Sequence, residues 1–341
     1  GLLLFLLPLI YRDGLPLSWP DEALFSSPAA ALSETGIFAT PVLAGLIPGM
    51  ESATLWNSPL YMVLTAGVYT VTGESQLAAR GLSFALALVC LYEFAILVSL
   101  LGIHRRLAVL APMALALDMT FQRAANTARM DMLTLAFFLG ALALFLTSSR
   151  RPATDWRWAA LAGVCMGGAA SSHPIAILLP PLALVWLWPR LRHLIAAGAG
   201  TLLALVPWGL YIAANAGTFC VQFLSQLQRK RDIFSLIGGD TGGTLVVFSS
   251  QYGGGLYLMA GAALMVLVVL GGAAWALLRG PRDPESARLY LSAAIVFVMV
   301  LLASEAWYPL FVGPLLLLTG LRLFTHGARP LFQLPLVYTA V

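Results

Sequence analysis

Apolar runs long enough to cross a membrane recur along nearly the whole chain. A membrane helix needs about 20 mainly apolar residues, and such windows cover residues 77–101, 106–121, 131–148, 156–172, 174–189, 193–214, 256–278, 288–303 and 305–323. The run at residues 1–11, GLLLFLLPLIY, is read as the end of one more helix. A cleaved signal peptide is the alternative, but no basic segment precedes this run and no small-residue cleavage site follows it. The pattern predicts an all-α polytopic membrane protein with about ten transmembrane helices.

Two longer polar stretches separate these runs. Residues 12–57 form a first outer loop in which DEALFSSPAAALSETG predicts short helices lying at the membrane interface. The segment 59–72 is too short to span and is expected to lie on or dip into the outer leaflet. Residues 215–255 form a second, glycine-rich outer loop. With no soluble segment beyond these loops, residues 1–341 are expected to form a single transmembrane domain.

Composition excludes several classes of protein. The chain is 60% hydrophobic and 10% charged, with a mean hydropathy of +0.88, which a water-soluble domain of this size could not carry on its surface. Its three cysteines have no paired spacing and no metal pattern. Since membrane topology accounts for the net charge of +4, nucleic acid is not an expected partner.

The basic residues indicate an orientation. With the first loop placed outside, 12 of the 19 Lys and Arg residues fall on the inner side, as the positive-inside rule requires. The other seven lie outside, where basic residues often hold an anion. They are Arg12, Arg80, Arg123, Arg129, Arg229, Lys230 and Arg231.

Adjacent carboxylates in SWPDE are the first candidates for chemistry. Asp21 or Glu22 at the outer face of a membrane bundle would serve as a general base or hold a metal ion. The structural alternative is a helix start, with Ser18 as N-cap and Asp21 as its capping-box partner. Both interpretations stay open, because a helix N-terminus also positions a carboxylate well.

Three further stretches place polar groups near the outer ends of spans. RAANTARMDML carries Arg123, Arg129 and Asp131, for which an ion pair is the structural alternative to a functional site. SSHPIAI places His173 in a tight turn between two spans, where it is either a solvated polar group or part of the site.

The third stretch, SEAWYPLFVGP, carries Glu305, Trp307 and Tyr308. Aromatic residues at this depth are typical of an interfacial belt, which is the preferred interpretation of Trp307. Glu305 is an acid beside a membrane-spanning segment, which an aromatic belt does not explain. Glu305 and Tyr308 therefore stay candidates for the site.

The order of these stretches resembles the C-type membrane glycosyltransferases. The resemblance rests on PDEALF, LSETGIFATP, NSPLYMVL, ESQLAARGLSFALALV, ARMDMLTLAFFLGALALFL, SSHPIAILLPPLALV and YPLFVGPLLLL, in that order. The most similar branch contains protein O-mannosyltransferases and lipid A aminoarabinose transferases. Many members carry further spans or a soluble C-terminal domain after the last of these stretches.

The resemblance implies inverting transfer of a sugar from a polyprenyl-phosphate donor to a lipid, glycan or protein acceptor at the outer face of a bacterial inner membrane. Asp21 would be the base, with Glu22 beside it. The donor phosphate would be held by basic residues of the outer side: Arg123, Arg129, His173, Arg229, Lys230 and Arg231. Some relatives use a divalent metal, for which Glu22, Glu34 and Asp131 would be oxygen ligands.

Two other functions compete with a transferase. A transporter or lipid flippase would also have about ten spans, but it would place ionisable groups near the bilayer midplane. Only Glu93 and Asp118 are clear examples here. A non-catalytic role in assembly is the remaining alternative.

Overall fold

A computed structural model describes residues 19–229, 271, 283–303 and 307–327, and every regular element in this part of the chain is helical. We number the α-helices α1 to α12 in chain order. They are α1 Pro20–Thr35, α2 Leu60–Thr72, α3 Gln76–Leu100, α4 Arg105–Ala116, α5 Met119–Ala125, α6 Asp131–Arg150, α7 Arg157–Ser172, α8 Leu179–Leu187, α9 Leu191–Ala214, α10 Ala216–Arg229, α11 Pro284–Ala303 and α12 Pro309–Gly327. Two short 3₁₀ helices, Pro41–Leu43 and Pro174–Leu178, complete the set.

Three of the described helices are long and apolar enough to cross a membrane: α3, α6 and α9. They coincide with three of the predicted windows. Helix α6 is central, with 67% of its apolar window buried against α3, α7 and α8, whereas only 11% of the α9 window is buried. The all-helical prediction is confirmed, and the count of about ten spans stays a prediction. Apart from residue 271, window 256–278 lies outside the described residues.

The bundle has two ends that differ in chemistry. At the Asp21 end lie α1 and the first residues of α3, α6 and α12; at the Arg150 end lie the last residues of those three helices and the start of α11. Arg322 links several helices at the Arg150 end. Its Nε donates to Ser286 Oγ at 2.9 Å and its Nη2 to Asp283 Oδ2 at 3.1 Å. Its Nη1 donates to the carbonyl of Leu101. One guanidinium thereby joins α3, α11 and α12.

Helix α1 begins one residue later than the capping alternative predicted. Trp19, in extended conformation, is the N-cap, and Pro20 supplies a fixed φ at the first helical position. The Trp19 N–H donates to Glu22 Oε2 at 2.9 Å, and the Glu22 N–H donates to the Trp19 carbonyl at 2.9 Å. The cap and its acidic partner are therefore Trp19 and Glu22. Gly36 ends the helix in the left-handed region, at φ 72°.

The predicted span 106–121 is broken into α4 and α5. Asp118 caps α5: its Oδ1 accepts from the Phe121 N–H at 2.9 Å and from the Thr120 hydroxyl. The Gln122 side chain donates to the Ala116 carbonyl, at the end of α4, at 3.0 Å. These bonds satisfy backbone groups that a broken helix leaves open. They also explain why an acidic residue lies inside an apolar window.

Helices α7 and α9 pack in close backbone contact because small residues line both. A Cβ built on Gly163 would lie 1.9 Å from the Ala197 carbonyl oxygen, and one on Gly200 would lie 2.2 Å from the Ala160 carbonyl oxygen. The Thr201 hydroxyl donates to the Gly163 carbonyl at 3.1 Å across the interface. This is the small-residue packing typical of membrane helices.

We expect Gly163→Ala to destabilise the protein by about 1–3 kcal/mol, because the added methyl group collides with backbone that cannot turn aside. The measurement is the thermal unfolding midpoint of the purified chain in detergent. Gly209→Ala, on α9, is the matched control, since a Cβ there meets no heavy atom within 4 Å. Equal midpoints for the two variants would contradict close packing of α7 and α9.

Candidate active site

Glu22 is the most heavily bonded carboxylate of the Asp21 end. Its side chain is only 4% exposed and forms a two-point ion pair with Arg80, whose Nε and Nη2 each lie 2.8 Å from one carboxylate oxygen. The Gln76 side chain donates at 3.1 Å and the backbone N–H of Ala128 at 2.8 Å. With the Trp19 N–H, five donors surround two oxygens. Glu22 thus joins α1 to α3 and to the loop before α6, and its lone pairs are occupied.

The surroundings of Glu22 favour its charged form. Burial raises the pKa of the carboxyl, but hydrogen bonds from Arg80 and from the backbone N–H groups of Ala128 and Trp19 lower it by more. The net result is a pKa below the ordinary value of 4.5. Glu22 is therefore an ionised anchor of the fold rather than a group with open coordination sites.

Asp21 faces a different set of partners from its neighbour. Its side chain is 37% exposed and accepts a hydrogen bond from Nη1 of Arg129. Arg129 itself is 5% exposed, and its Nε donates to Oδ2 of the fully buried Asp131 at 2.9 Å. Arg129 thereby bridges an accessible carboxylate and a buried one. Within the described residues the second oxygen of Asp131, Oδ1, accepts no hydrogen bond.

An indole ring holds two guanidinium groups beside Asp21. The guanidinium carbons of Arg123 and Arg129 lie 3.9 Å and 4.0 Å from the centroid of Trp307. Trp19 packs edge-on against the same ring, at 5.7 Å between centroids. Trp307 is 6% exposed, so its assignment to an interfacial belt was wrong. It positions cations, an interaction that strengthens when the groups are removed from water.

His173 lies at the same end with a defined tautomer. It follows α7, is 4% exposed, and its Nδ1 accepts the Ile175 N–H at 2.9 Å. An acceptor at Nδ1 assigns the proton of the neutral ring to Nε2, which is then a donor. The ring packs edge-on against Tyr308 at 5.5 Å between centroids.

The structure brings Asp21, Arg123, Arg129, Asp131 and His173 to one end of the bundle, with Tyr308 beside the histidine. Glu34 lies apart from them: it is exposed on α1 and lines an open groove with Glu51 and Glu74. Arg229 is the last residue of α10. Three candidates, Lys230, Arg231 and Glu305, lie outside the described residues.

The three predicted metal ligands do not converge. Across the described ranges, no group of three His, Cys, Asp or Glu side chains could hold a metal ion. The Glu22 oxygens are occupied by five donors, and Glu34 is exposed on the groove side of α1. These residues do not fit a divalent cation, and we derive no chemical step from one.

Sequence reasoning missed three groups that organise this end. Gln76 and Arg80 were not singled out as partners of an acid, because they lie 54 and 58 positions from Glu22 in the sequence. The available signal was the outer position of Arg80, an arginine that breaks the positive-inside trend. Trp307 had no signal that distinguishes it from a belt tryptophan.

No family model matches the chain, and no curated protein sequence matches it. Two crystal structures of ArnT from Cupriavidus metallidurans do match it in three dimensions. In the apo state the identity is 18%, the TM-score is 0.65, and the match covers 97% of this chain and 60% of that one. For the structure bound to undecaprenyl phosphate, the identity is 19% and the TM-score is 0.64. That match covers 96% of this chain and 61% of the ArnT chain. ArnT is a lipid A aminoarabinose transferase and a GT-C enzyme.

The chain adopts the GT-C fold. It is an integral membrane protein and spans about three fifths of the length of the ArnT chains that it matches. The resemblance that the sequence motifs indicated is thereby confirmed at the level of the fold. This fold places Asp21 and the stacked arginines together at one end of the bundle.

We expect Glu22→Gln to lower the free energy of unfolding by about 2–4 kcal/mol, because the change leaves the Arg80 guanidinium without its counter-charge. The thermal unfolding midpoint in detergent measures this effect. Glu34→Gln, on the exposed face of the same helix, is the matched control and is expected to leave the midpoint unchanged. A loss equal to that of the control would show that the Glu22 network does not stabilise the fold.

The stabilisation by Glu22 should depend on pH in a defined direction. Because the pKa of Glu22 is lower in the folded chain than its ordinary value of 4.5, the contribution is complete above that value. It is lost as the pH falls through the folded pKa. The stability difference between wild type and Glu22→Gln should stay constant from about pH 7 to pH 5 and narrow below about pH 4.5. A difference that grows on acidification would contradict this.

Proposed function

We propose that this chain transfers a sugar with inversion from a polyprenyl-phosphate donor to an acceptor at the outer face of a bacterial inner membrane. The observation that carries the proposal is the Asp21 carboxylate, accessible and held by Arg129, beside a second guanidinium stacked on the same indole ring. A base beside paired cations is what this reaction needs. The fold it shares with ArnT bound to undecaprenyl phosphate supports the choice of donor.

Asp21 is the proposed general base. As the acceptor hydroxyl attacks the anomeric carbon, its proton passes to a carboxylate oxygen of Asp21. The new bond joins the acceptor oxygen to the anomeric carbon, and the bond from that carbon to the phosphate oxygen breaks. The polyprenyl phosphate leaves with the electron pair. The ion pair with Arg129 fixes the carboxylate for this role, while the exposed fraction of Asp21 leaves room for the hydroxyl.

Arg123, Arg129 and His173 are the proposed groups that stabilise the departing phosphate. Two of the five Arg129 N–H donors are used by Asp21 and Asp131, so donors remain for phosphate oxygens. His173 adds a neutral N–H at Nε2. Fixed donors in a site shielded from water stabilise charge as it develops on a leaving group. Arg229, Lys230 and Arg231 stay candidates for the same role on sequence grounds.

Buried Asp131 is proposed to orient Arg129. Its Oδ2 holds the Nε edge of the guanidinium, and Trp307 holds the face of the same group. An arginine fixed by three neighbours loses little freedom when a phosphate arrives.

A transporter or flippase is the rival function, and the environment of Asp118 argues against it. Such proteins place ionisable groups where they exchange ions near the midplane. Asp118 instead caps α5 and has a fixed structural role. Glu93, the other acid inside an apolar window, caps no helix, and within the described residues its Oε2 has no hydrogen-bond partner.

We expect Asp21→Asn to retain its fold and to lose about 10²- to 10⁴-fold in sugar transfer, the usual contribution of a general base. The measurement is release of free polyprenyl phosphate by the purified full chain, supplied with a panel of polyprenyl-phosphate sugars and a membrane lipid extract as acceptor. The control is Glu34→Gln, which removes an exposed carboxylate of the same helix on the groove side, and this variant should retain full activity. Unchanged release by Asp21→Asn would show that Asp21 is a structural residue only.

A further inference from the structure

Three helix ends meet at the Arg150 end and bring arginines close together. Helix α6 ends at Arg150, α11 carries Glu285 and Arg288 in its first turns, and Arg190 immediately precedes α9. Arg288 lies one turn after Glu285 on α11, the carboxylate that Arg150 holds, and Arg190 bonds the same end of α6. This group of four charged residues, three positive and one negative, we call the arginine cluster. It lies at the opposite end of the bundle from the proposed active site.

Two members of the arginine cluster have fixed structural partners. Arg150 forms a two-point ion pair with Glu285, with both nitrogen–oxygen distances at 2.6 Å. Arg190 Nη1 donates to the carbonyls of Ser148 and Arg151 at 3.0 Å and 2.8 Å. Those carbonyls belong to the end of α6, where unbonded carbonyl groups need donors. The single carboxylate of the cluster is therefore already engaged by Arg150.

Arg288 is in a different position. It is half-buried, and within the described residues its guanidinium makes no hydrogen bond and no ion pair. In the part of the chain that the structure describes, the charged groups around it are a like charge, Arg190, and a carboxylate that Arg150 already holds. Like charges held together in a partly desolvated place repel each other unless an anion lies between them. The cluster thus has excess positive charge and unused donors.

Two exposed tryptophans lie at the same end of the bundle as the arginine cluster. Trp156, before α7, and Trp188, after α8, are 50% and 64% exposed at the same end of the bundle. Exposed tryptophans at the ends of membrane helices mark the interface between headgroups and acyl chains. The arginine counts of the loops assign this end to the cytoplasmic side.

We propose that Arg288 and Arg190 bind the phosphodiester headgroup of an anionic phospholipid of the inner leaflet. A planar guanidinium offers parallel N–H donors that match phosphate oxygens, and the anion would relieve the repulsion between the two arginines. Basic pockets between helix ends on the cytoplasmic side are suited to such headgroups. This site is independent of sugar transfer, and its occupant would stabilise the junction of α6, α9 and α11.

The test is lipid-dependent thermal unfolding of the purified full chain in a neutral detergent. Phosphatidylglycerol should raise the midpoint of the wild type, and phosphatidylcholine with the same acyl chains should not. Arg288→Gln should bind phosphatidylglycerol about fivefold more weakly, the effect of one basic residue at a charged surface. Arg288→Lys keeps the charge and should keep selectivity for phosphatidylglycerol over phosphatidylcholine, with weaker binding than wild type.

The matched control is Arg157→Gln, which removes an 80% exposed arginine at the same end that pairs with Asp155. Its unfolding midpoint should rise with phosphatidylglycerol concentration as that of the wild type does. An equal loss in the two Gln variants would mean that only general surface charge attracts the lipid, and would overturn the site. Equal effects of the two lipids would also overturn it. If millimolar glycerol phosphate abolishes the effect of phosphatidylglycerol, the site takes a soluble anion rather than a lipid.

Discussion

The buried carboxylate of Glu22 is the interaction on which the Asp21 end depends. It receives five hydrogen bonds from α1, α3 and the loop before α6, so three segments that are distant in sequence share one anion. Burying a charge is costly unless every lone pair is satisfied, and here that condition is met by two guanidinium nitrogens, an amide and two backbone N–H groups. This anion therefore ties the start of α1 to α3 and to the loop before α6.

The position of Arg129 follows from the same contact. Ala128 donates its backbone N–H to Glu22, so the next residue emerges at a fixed place beside α1. From there Arg129 reaches Asp21 on α1 and Asp131 at the start of α6. Adjacent residues on a helix point about 100° apart, so the side chains of Asp21 and Glu22 meet different partners. Glu22 is buried and fully hydrogen-bonded, whereas Asp21 stays accessible beside Arg129.

The two ends of the bundle handle charge in opposite ways. At the Asp21 end, Arg123 and Arg129 stand against Asp21 and Asp131, and an aromatic ring fixes both guanidinium groups. In the arginine cluster of the Arg150 end, three arginines surround one carboxylate, which Arg150 holds. A balanced group of buried charges needs little from solvent, whereas an excess of one sign needs a counter-ion. That difference is why we propose sugar transfer at the Asp21 end and lipid binding at the Arg150 end.

The sequence by itself determined the helical membrane fold, the grouping of Asp21, Arg129 and His173 near one side, and the resemblance to GT-C enzymes. Long apolar runs and their alternation with charged loops suffice for that, because a bilayer permits few other structures. Only the tertiary structure decided that Glu22 is an anchor, that Asp118 breaks a predicted span, and that Trp307 holds two arginines. These roles depend on contacts across 54 to 106 positions for Glu22, and no local pattern encodes which distant donor a carboxylate will meet.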